Sequence, residues 1–154
     1  MKTIQIDRSV PFDPVTFMGL GQGWTVDEQD EKSLLLTEID LTKVVLETTL
    51  NKKEKSINGE DKIKRLKENN SVRLDALVFK TLWENQHLIP SQWKQKINGN
   101  PTFIFFDGTV LRRSAGSSGV SVLFLCWHGK WRWSYRWIFN EWNINDPSAI
   151  LSIN

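Results

Sequence analysis

Hydrophobic and polar residues alternate most regularly late in the sequence, where two strand-like segments flank a short polar turn. The first segment runs from Val120 to Trp127 and the second from Lys130 to Ile138. Alternation with a period of two is typical of half-buried strands. We therefore predict a β-hairpin with the dipeptide His128-Gly129 as its two-residue turn.

The predicted register gives the two faces of this hairpin different characters. Cys126 lies opposite Trp131 and Phe124 lies opposite Trp133 in this register, which makes one face apolar and suited to the core. The other face mixes apolar residues of one strand with polar and cationic residues of its neighbour: Leu123, Leu125, Trp127, Lys130, Arg132, Ser134 and Arg136. We expect this mixed face to be a contact surface.

Another hairpin is predicted just upstream. Phe103–Phe106 and Thr109–Arg113 have strand-like composition, and the dipeptide between them is Asp107-Gly108. Asp-Gly favours the type I′ turn that closes tight hairpins. The last third of the sequence therefore predicts two consecutive hairpins.

The middle of the chain shows helical periodicity. Between residues 75 and 86, apolar side chains cover most of the predicted helix circumference, and Lys80 and Glu84 form an exposed i,i+4 pair. This helix should be buried in the core. A helix over residues 58–69 has only a narrow apolar stripe and should lie on the surface.

The first half of the chain predicts short strands. Thr3–Asp7 and two strands within Leu34–Leu50 contain β-branched residues, and the side-chain phase changes near Thr42-Lys43. The acidic residues within 27–31 are expected to form a solvated turn. Together the elements predict an α+β single domain, residues 1–154, whose antiparallel sheet includes the two hairpins and packs on the central helix at about 75–86.

Length and composition agree with one cytoplasmic domain. With 154 residues and 40% hydrophobic residues, the chain can build one core. Cys126 is its single cysteine, which excludes an internal disulfide and suggests a reducing compartment. The sequence shows neither a signal-peptide pattern nor a run long enough to span a membrane, so we expect no membrane partner.

Charge is distributed unevenly along the chain. Residues 1–50 hold four basic and nine acidic residues, whereas residues 51–154 hold sixteen basic and nine acidic ones. Within 94–136, seven basic residues accompany a single acidic one, Asp107. A local basic excess is compatible with two solvated faces of opposite charge, the simpler interpretation, and also with an anionic partner.

Tryptophan is concentrated in the same part of the chain. Five of the eight tryptophans lie within residues 127–142, interleaved with basic residues. Aromatic rings stack on unpaired bases, and arginine contacts phosphates. We therefore predict a non-enzymatic binding or regulatory protein for single-stranded nucleic acid, with a protein–protein interaction module as the alternative. The candidate ligand-binding residues are Trp127, Lys130, Arg132, Arg136, Arg112 and Arg113.

The sequence contains few candidate catalytic residues. Cys126 and His128, at i and i+2, make a thiol–imidazole pair conceivable, which leaves a small hydrolase as a distant third possibility. With one cysteine and two histidines the sequence contains no zinc-ligand cluster. We expect neither a metal nor another cofactor.

Three segments resemble a family of short bacterial proteins of uncharacterised function. They are Leu82–Pro90, Phe105–Arg112 and Asp146–Ala149, and the resemblance extends over most of the chain. It implies a single-domain bacterial protein, and it brings no activity, ligand or site residue with it.

Overall fold

The computed structural model describes residues 2–114 and 119–152, and within them the chain forms short helices and many short strands. The helices are α1 (Pro14–Met18), α2 (Glu31–Leu34), α3 (Gly59–Glu68) and α4 (Ala76–Glu84), with 3₁₀ turns at Leu41–Lys43, Gln86–Leu88 and Ser91–Lys94. The strands are β1 (Thr3–Gln5), β2 (Trp24–Gln29), β3 (Glu38–Asp40), β4 (Val45–Glu47), β5 (Ile57–Asn58), β6 (Ser71–Arg73), β7 (Lys96–Ile97), β8 (Asn100–Pro101), β9 (Ile104–Phe105), β10 (Thr109–Arg113), β11 (Val120–Trp127), β12 (Trp131–Trp137), β13 (Glu141–Trp142) and β14 (Ser148–Ser152).

Eight strands form the main sheet. Its order is β2-β10-β11-β9-β14-β4, with β12 pairing with β11 and β6 pairing with β14. The pairs are antiparallel, except that β9 and β14 run parallel. Helices pack on this sheet in one compact domain, which fits the predicted α+β class. No helix in the described ranges is both long and apolar enough to cross a membrane.

Helix α4 covers one face of the sheet, as its apolar circumference predicts. Its start is fixed by Asp75, which caps the first turn and pairs with Arg8 at 2.6 Å. Phe79 and Leu82 are fully buried, and the ring of Phe79 lies 5.4 Å from that of Phe106. The buried residues of α4 are Ala76, Val78, Phe79 and Leu82.

Helix α3 covers the opposite face. Asn58 caps its first turn, and Ile63 packs with Trp142 in a second hydrophobic cluster. A Cβ at Gly59 would lie 2.3 Å from the carbonyl oxygen of Ile138, so only glycine lets the helix begin this close to the sheet. The central strands are therefore buried on both faces, although the sequence predicts one open face.

The hairpin predicted for residues 103–113 is wrong. Strands β9 and β10 do not pair with each other; both run antiparallel to β11. Phe105 lies opposite Phe124 and Leu111 lies opposite Ser121. Because β12 pairs along the other edge of β11, β9 and β10 share one edge and form a single interrupted strand.

The Asp107-Gly108 turn interrupts that strand without reversing it. The N–H of Gly108 donates to the carbonyl of Leu74 at 3.0 Å, and a Cβ there would lie 2.1 Å from the carbonyl oxygen of Arg73. Gly108 also lacks the positive φ that a type I′ turn requires. The glycine thus permits a close approach between backbones, and pairing with β11 outweighs the local turn preference.

The hairpin of β11 and β12 is present, but its predicted register is wrong by one residue. The turn contains three residues, His128-Gly129-Lys130, with Gly129 at a φ of 71°. Trp127 consequently lies opposite Trp131, and Cys126 lies opposite Arg132. Because side chains alternate along a strand, a shift of one residue exchanges the faces of a whole strand.

The shift changes which residues share a face. Trp131, Trp133 and Tyr135 join Leu123 and Leu125 on the side of α4. Arg132, Ser134 and Arg136 share the side of α3 with Val122, Phe124 and Cys126. The predicted mixed face, with Trp127 beside Arg132 and Arg136, does not form.

The N-terminal half agrees with the prediction in part. The strand expected at Thr3–Asp7 is the shorter β1, and the phase change near Thr42-Lys43 is a 3₁₀ turn between β3 and β4. The predicted acidic turn is wrong, because residues 24–29 form β2 at the edge of the main sheet. Asp27 pairs there with Arg112 at 2.8 Å, so part of the negative charge that suggests a turn is neutralised.

Candidate binding site at the hairpin end

The structure distributes the six predicted ligand-binding residues over three places. Trp127, Lys130 and Arg132 remain together where β11 turns into β12. Arg136 lies inside the second hydrophobic cluster, and Arg112 and Arg113 lie at the far end of β10. Only the first group is a candidate site.

Two lysines outside the predicted set join this group. The ammonium of Lys94, at the end of a 3₁₀ turn, lies 4.0 Å from the centroid of the Trp127 ring. Lys96 follows Lys94 by two residues, in β7, and is also exposed. We name this group the hairpin end: Lys94, Lys96, Trp127, Lys130 and Arg132.

The four cations of the hairpin end have no carboxylate partner. All four side chains are exposed, and none forms an ion pair with a carboxylate in residues 2–114 or 119–152. By contrast, Arg136 pairs with Asp146 at 3.1 Å. A cation without a partner can bind an external anion without first breaking an internal pair.

Trp127 is the aromatic member of the site. Its ring is partly buried, and it lies 5.4 Å from the ring of Trp131 at an interplanar angle of 68°. Its neighbours on the same face, Leu123 and Leu125, are 1% and 0% exposed. Any ligand contact therefore involves the end of the hairpin and excludes the sheet face.

Arg136 belongs to a charge cluster, which we define as Lys62, Asp107, Arg136 and Asp146; the Arg136 side chain is 20% exposed, and the other three residues are buried. The guanidinium of Arg136 lies 4.9 Å from the Phe105 ring centroid. The ammonium of Lys62, 1% exposed, donates to the backbone carbonyl of Asp146 at 2.7 Å. Paired and covered in this way, Arg136 has a structural role, in contrast to its prediction as a ligand-binding residue.

Lys62 is the least expected member of that cluster. Burial lowers its pKa to about 8, although the carboxylates of Asp107 and Asp146 favour the charged form and oppose the shift. One oxygen of Asp107 accepts a short hydrogen bond from Ser148, and the other has no partner among the described residues. Position 62 lies on the same helical face as Gly59 and Ile63, a spacing visible in the sequence.

Arg112 and Arg113 are remote from the hairpin end. Arg112 lies opposite Val120, which is seven residues from Trp127 on β11, or roughly 23 Å along the strand. Arg112 is occupied by Asp27, and Arg113 lies 5.7 Å from the Trp24 ring. They cannot contact the same short ligand segment as Trp127.

The arrangement of Cys126 and His128 does not favour nucleophilic catalysis. Cys126 is 5% exposed, and burial raises the pKa of its thiol, although the charge of Arg132 opposes the shift. His128 is exposed in the turn, and no hydrogen bond joins the two side chains in the described structure. A nucleophile needs the thiolate that this environment disfavours.

No protein-family model, curated protein or solved structure matches this chain. The resemblance to short bacterial proteins therefore stays a prediction, and the geometry and charge of the hairpin end are the observations that bear on function.

Proposed function

We propose that this is a non-enzymatic binding protein that holds single-stranded nucleic acid at the hairpin end. The proposal is carried by one observation: at the end of the hairpin the ammonium of Lys94 lies 4.0 Å from the centroid of the partly buried Trp127 ring, and exposed cations that form no ion pair within residues 2–114 and 119–152 follow in the turn and at the start of β12. Phosphates supply the anions that these cations lack. An unpaired base supplies a ring that can stack on Trp127.

Single strands fit this site better than a duplex does. Stacking on Trp127 needs a base whose face is free, and a duplex covers both faces of its internal bases. A two-stranded ribbon such as β11 and β12 can also enter a major groove, but base recognition there needs polar side chains aimed at base edges. Arg132 lies on the face of the hairpin opposite Trp127, so a strand that stacks on Trp127 would meet Arg132 only where it passes around the hairpin end.

The test is a fluorescence-anisotropy titration with a labelled oligothymidylate and with a duplex of the same length. We expect the single strand to bind with a Kd below about 100 μM at about 50 mM salt, where even non-specific association is measurable. The duplex should bind more weakly, because it cannot stack on Trp127.

Two results would contradict the proposal. Absence of binding under these conditions would remove the nucleic-acid function and favour a protein partner. Tighter binding of the duplex would show that the hairpin reads a groove, with Trp127 playing no stacking role.

A further inference from the structure

Strand β12 leaves one of its edges open. It pairs with β11 over seven residue pairs without a register shift, and no other strand in the described ranges pairs with it. An open edge presents a row of backbone donors and acceptors that another extended chain can pair with.

The hydrogen-bond pattern shows which amides face outward. The N–H of Ile138 donates to the carbonyl of Val120, which makes that pair a hydrogen-bonded one. Because hydrogen-bonded and non-hydrogen-bonded pairs alternate, the amides of Trp131, Trp133 and Tyr135 point away from β11. No group among residues 2–114 and 119–152 accepts a hydrogen bond from these three N–H groups.

The other edges of the main sheet are less suited to pairing. β4 and β6 have three residues each, and the pairing of β2 with β10 is interrupted by a register shift between Val110 and Leu111. Short strands and bulges are the usual ways of protecting an edge. β12 is regular, contains neither proline nor glycine, and has no bulge.

The charge on β12 indicates which kind of extended chain can pair with its open edge. Arg132 is exposed and forms no ion pair with a carboxylate among the residues that the structure describes, and Lys130 precedes it in the turn. An acidic residue opposite Arg132 is favourable, whereas a like charge is not. Two copies of β12 paired about Ser134 would place Arg132 opposite Arg136, which disfavours that register, and no register offers Arg132 a carboxylate, because β12 contains no acidic residue.

The face of β12 on the side of α4 indicates which residues the guest strand should carry on that side. Trp131, Trp133 and Tyr135 form an apolar row on the side of α4, and a strand added at the edge would continue that row. Residues of the guest that point to this side should be apolar, and those that point to the side of Arg132 should be acidic.

We propose that the outer edge of β12 binds an extended, acidic segment of a partner protein by β-strand addition, with apolar and acidic residues alternating in the guest. Main-chain hydrogen bonds to the outward amides hold the guest, and Arg132 selects its charge. This inference is argued from the outward amides of β12 and the charge of Arg132, and it does not require the hairpin end to bind nucleic acid.

The probe is a fluorescein-labelled heptapeptide in which valine and glutamate alternate, titrated into the full chain. A matched peptide with lysine in place of glutamate should bind about tenfold more weakly, since its charge opposes Arg132. Two further peptides carry N-methyl groups, one on all valine amides and one on all glutamate amides. Amides of only one parity can face β12, so one methylated peptide should lose about tenfold in affinity while the other stays within about twofold.

Reversing the charge of Arg132 tests whether the peptide binds at the edge of β12. Arg132→Glu should invert the preference, so that the lysine peptide binds more tightly than the glutamate peptide. Lys52→Glu, which makes the same charge change at an exposed lysine in the connection before β5, should leave the preference unchanged.

The remaining outcomes overturn the proposal. Equal effects of the two methylated peptides would mean that the peptide is held by charge alone at the hairpin end. Displacement of the peptide by oligothymidylate without any effect of methylation would mean the same. If the glutamate peptide does not bind with a Kd below about 1 mM, taken as the weak limit of specific association, the edge of β12 does not bind a guest strand and the proposal is wrong.

Discussion

Arg132 and Arg136 lie on the same strand and the same face, yet the fold gives them opposite environments. Arg132 is exposed at the hairpin end and pairs with no carboxylate in the described part of the chain. Arg136, four residues further along β12, pairs with Asp146 and lies 4.9 Å from the ring centroid of Phe105 and 5.4 Å from that of Trp142. The carboxylate and ring contacts of Arg136, more than residue type, distinguish this structural cation from one that is available to a ligand.

The largest effect is expected when the ion pair between Arg136 and Asp146 is removed. Asp146→Ala removes the carboxylate that neutralises Arg136 and opposes the charge of Lys62, so buried cations lose their compensation. We expect the free energy of unfolding to fall by about 3–5 kcal/mol in urea denaturation. The control Asp27→Ala, which removes the exposed partner of Arg112, should cost less than about 1 kcal/mol. Equal losses of unfolding free energy in the two variants would show that the environments of Arg136 and Arg112 do not differ in the way proposed.

A second prediction concerns the pH dependence of stability. The pKa of Lys62 is lowered from 10.5 to about 8 by burial, against the opposing charges of Asp107, Asp146 and Glu47 and with a smaller contribution from Arg136. Between these values the unfolded chain keeps the proton that the folded protein has lost, so stability rises with pH over that window and is flat below it.

The matched variant isolates this lysine. Lys62→Met keeps the length of the side chain and removes the titrating group. The difference in unfolding free energy between the original protein and Lys62→Met should therefore shift in favour of the original protein above about pH 8. A difference that falls with pH would show that the charged form of Lys62 stabilises the fold.

The third prediction separates two exposed or partly exposed tryptophans of the hairpin. Trp127→Ala should weaken oligothymidylate binding by about 1–3 kcal/mol, because it removes the stacking ring. Trp137→Ala, at the opposite end of β12 and 38% exposed, should leave the affinity unchanged. Near-ultraviolet circular dichroism establishes that both variants are folded before the anisotropy titration. Equal losses of affinity in the two variants would show that binding depends on the sheet as a whole and not on Trp127.

Sequence patterns predicted local structure well where one segment decides it. The buried helix follows from apolar residues around its circumference, and its exposed Lys80–Glu84 pair is present at 3.5 Å. Pairing between segments was harder to predict. The Asp107-Gly108 turn depends on a contact with Leu74, and the register of β12 depends on one extra turn residue, Lys130.

The candidate site was predicted only in part for the same reason. Trp127, Lys130 and Arg132 are close in sequence and stay together in space. Lys94 reaches Trp127 through tertiary packing, which alternation along β11 and β12 does not encode. The burial of Arg136 depends on α3 and β13, elements remote from it in the sequence or too short to predict.

The most direct test of the contrast between ligand-binding and structural cations is the salt dependence of oligothymidylate binding. With four cations contacting phosphates, log K should fall with log[salt] at a slope of about −2 to −3. The double variant Lys130→Ala/Arg132→Ala should flatten this slope by about 1.4, and Arg112→Ala/Arg113→Ala, with the same loss of charge at the far end of the sheet, should leave it unchanged. Equal flattening by the two double variants would contradict the account, since binding would then respond to net charge instead of to the hairpin end.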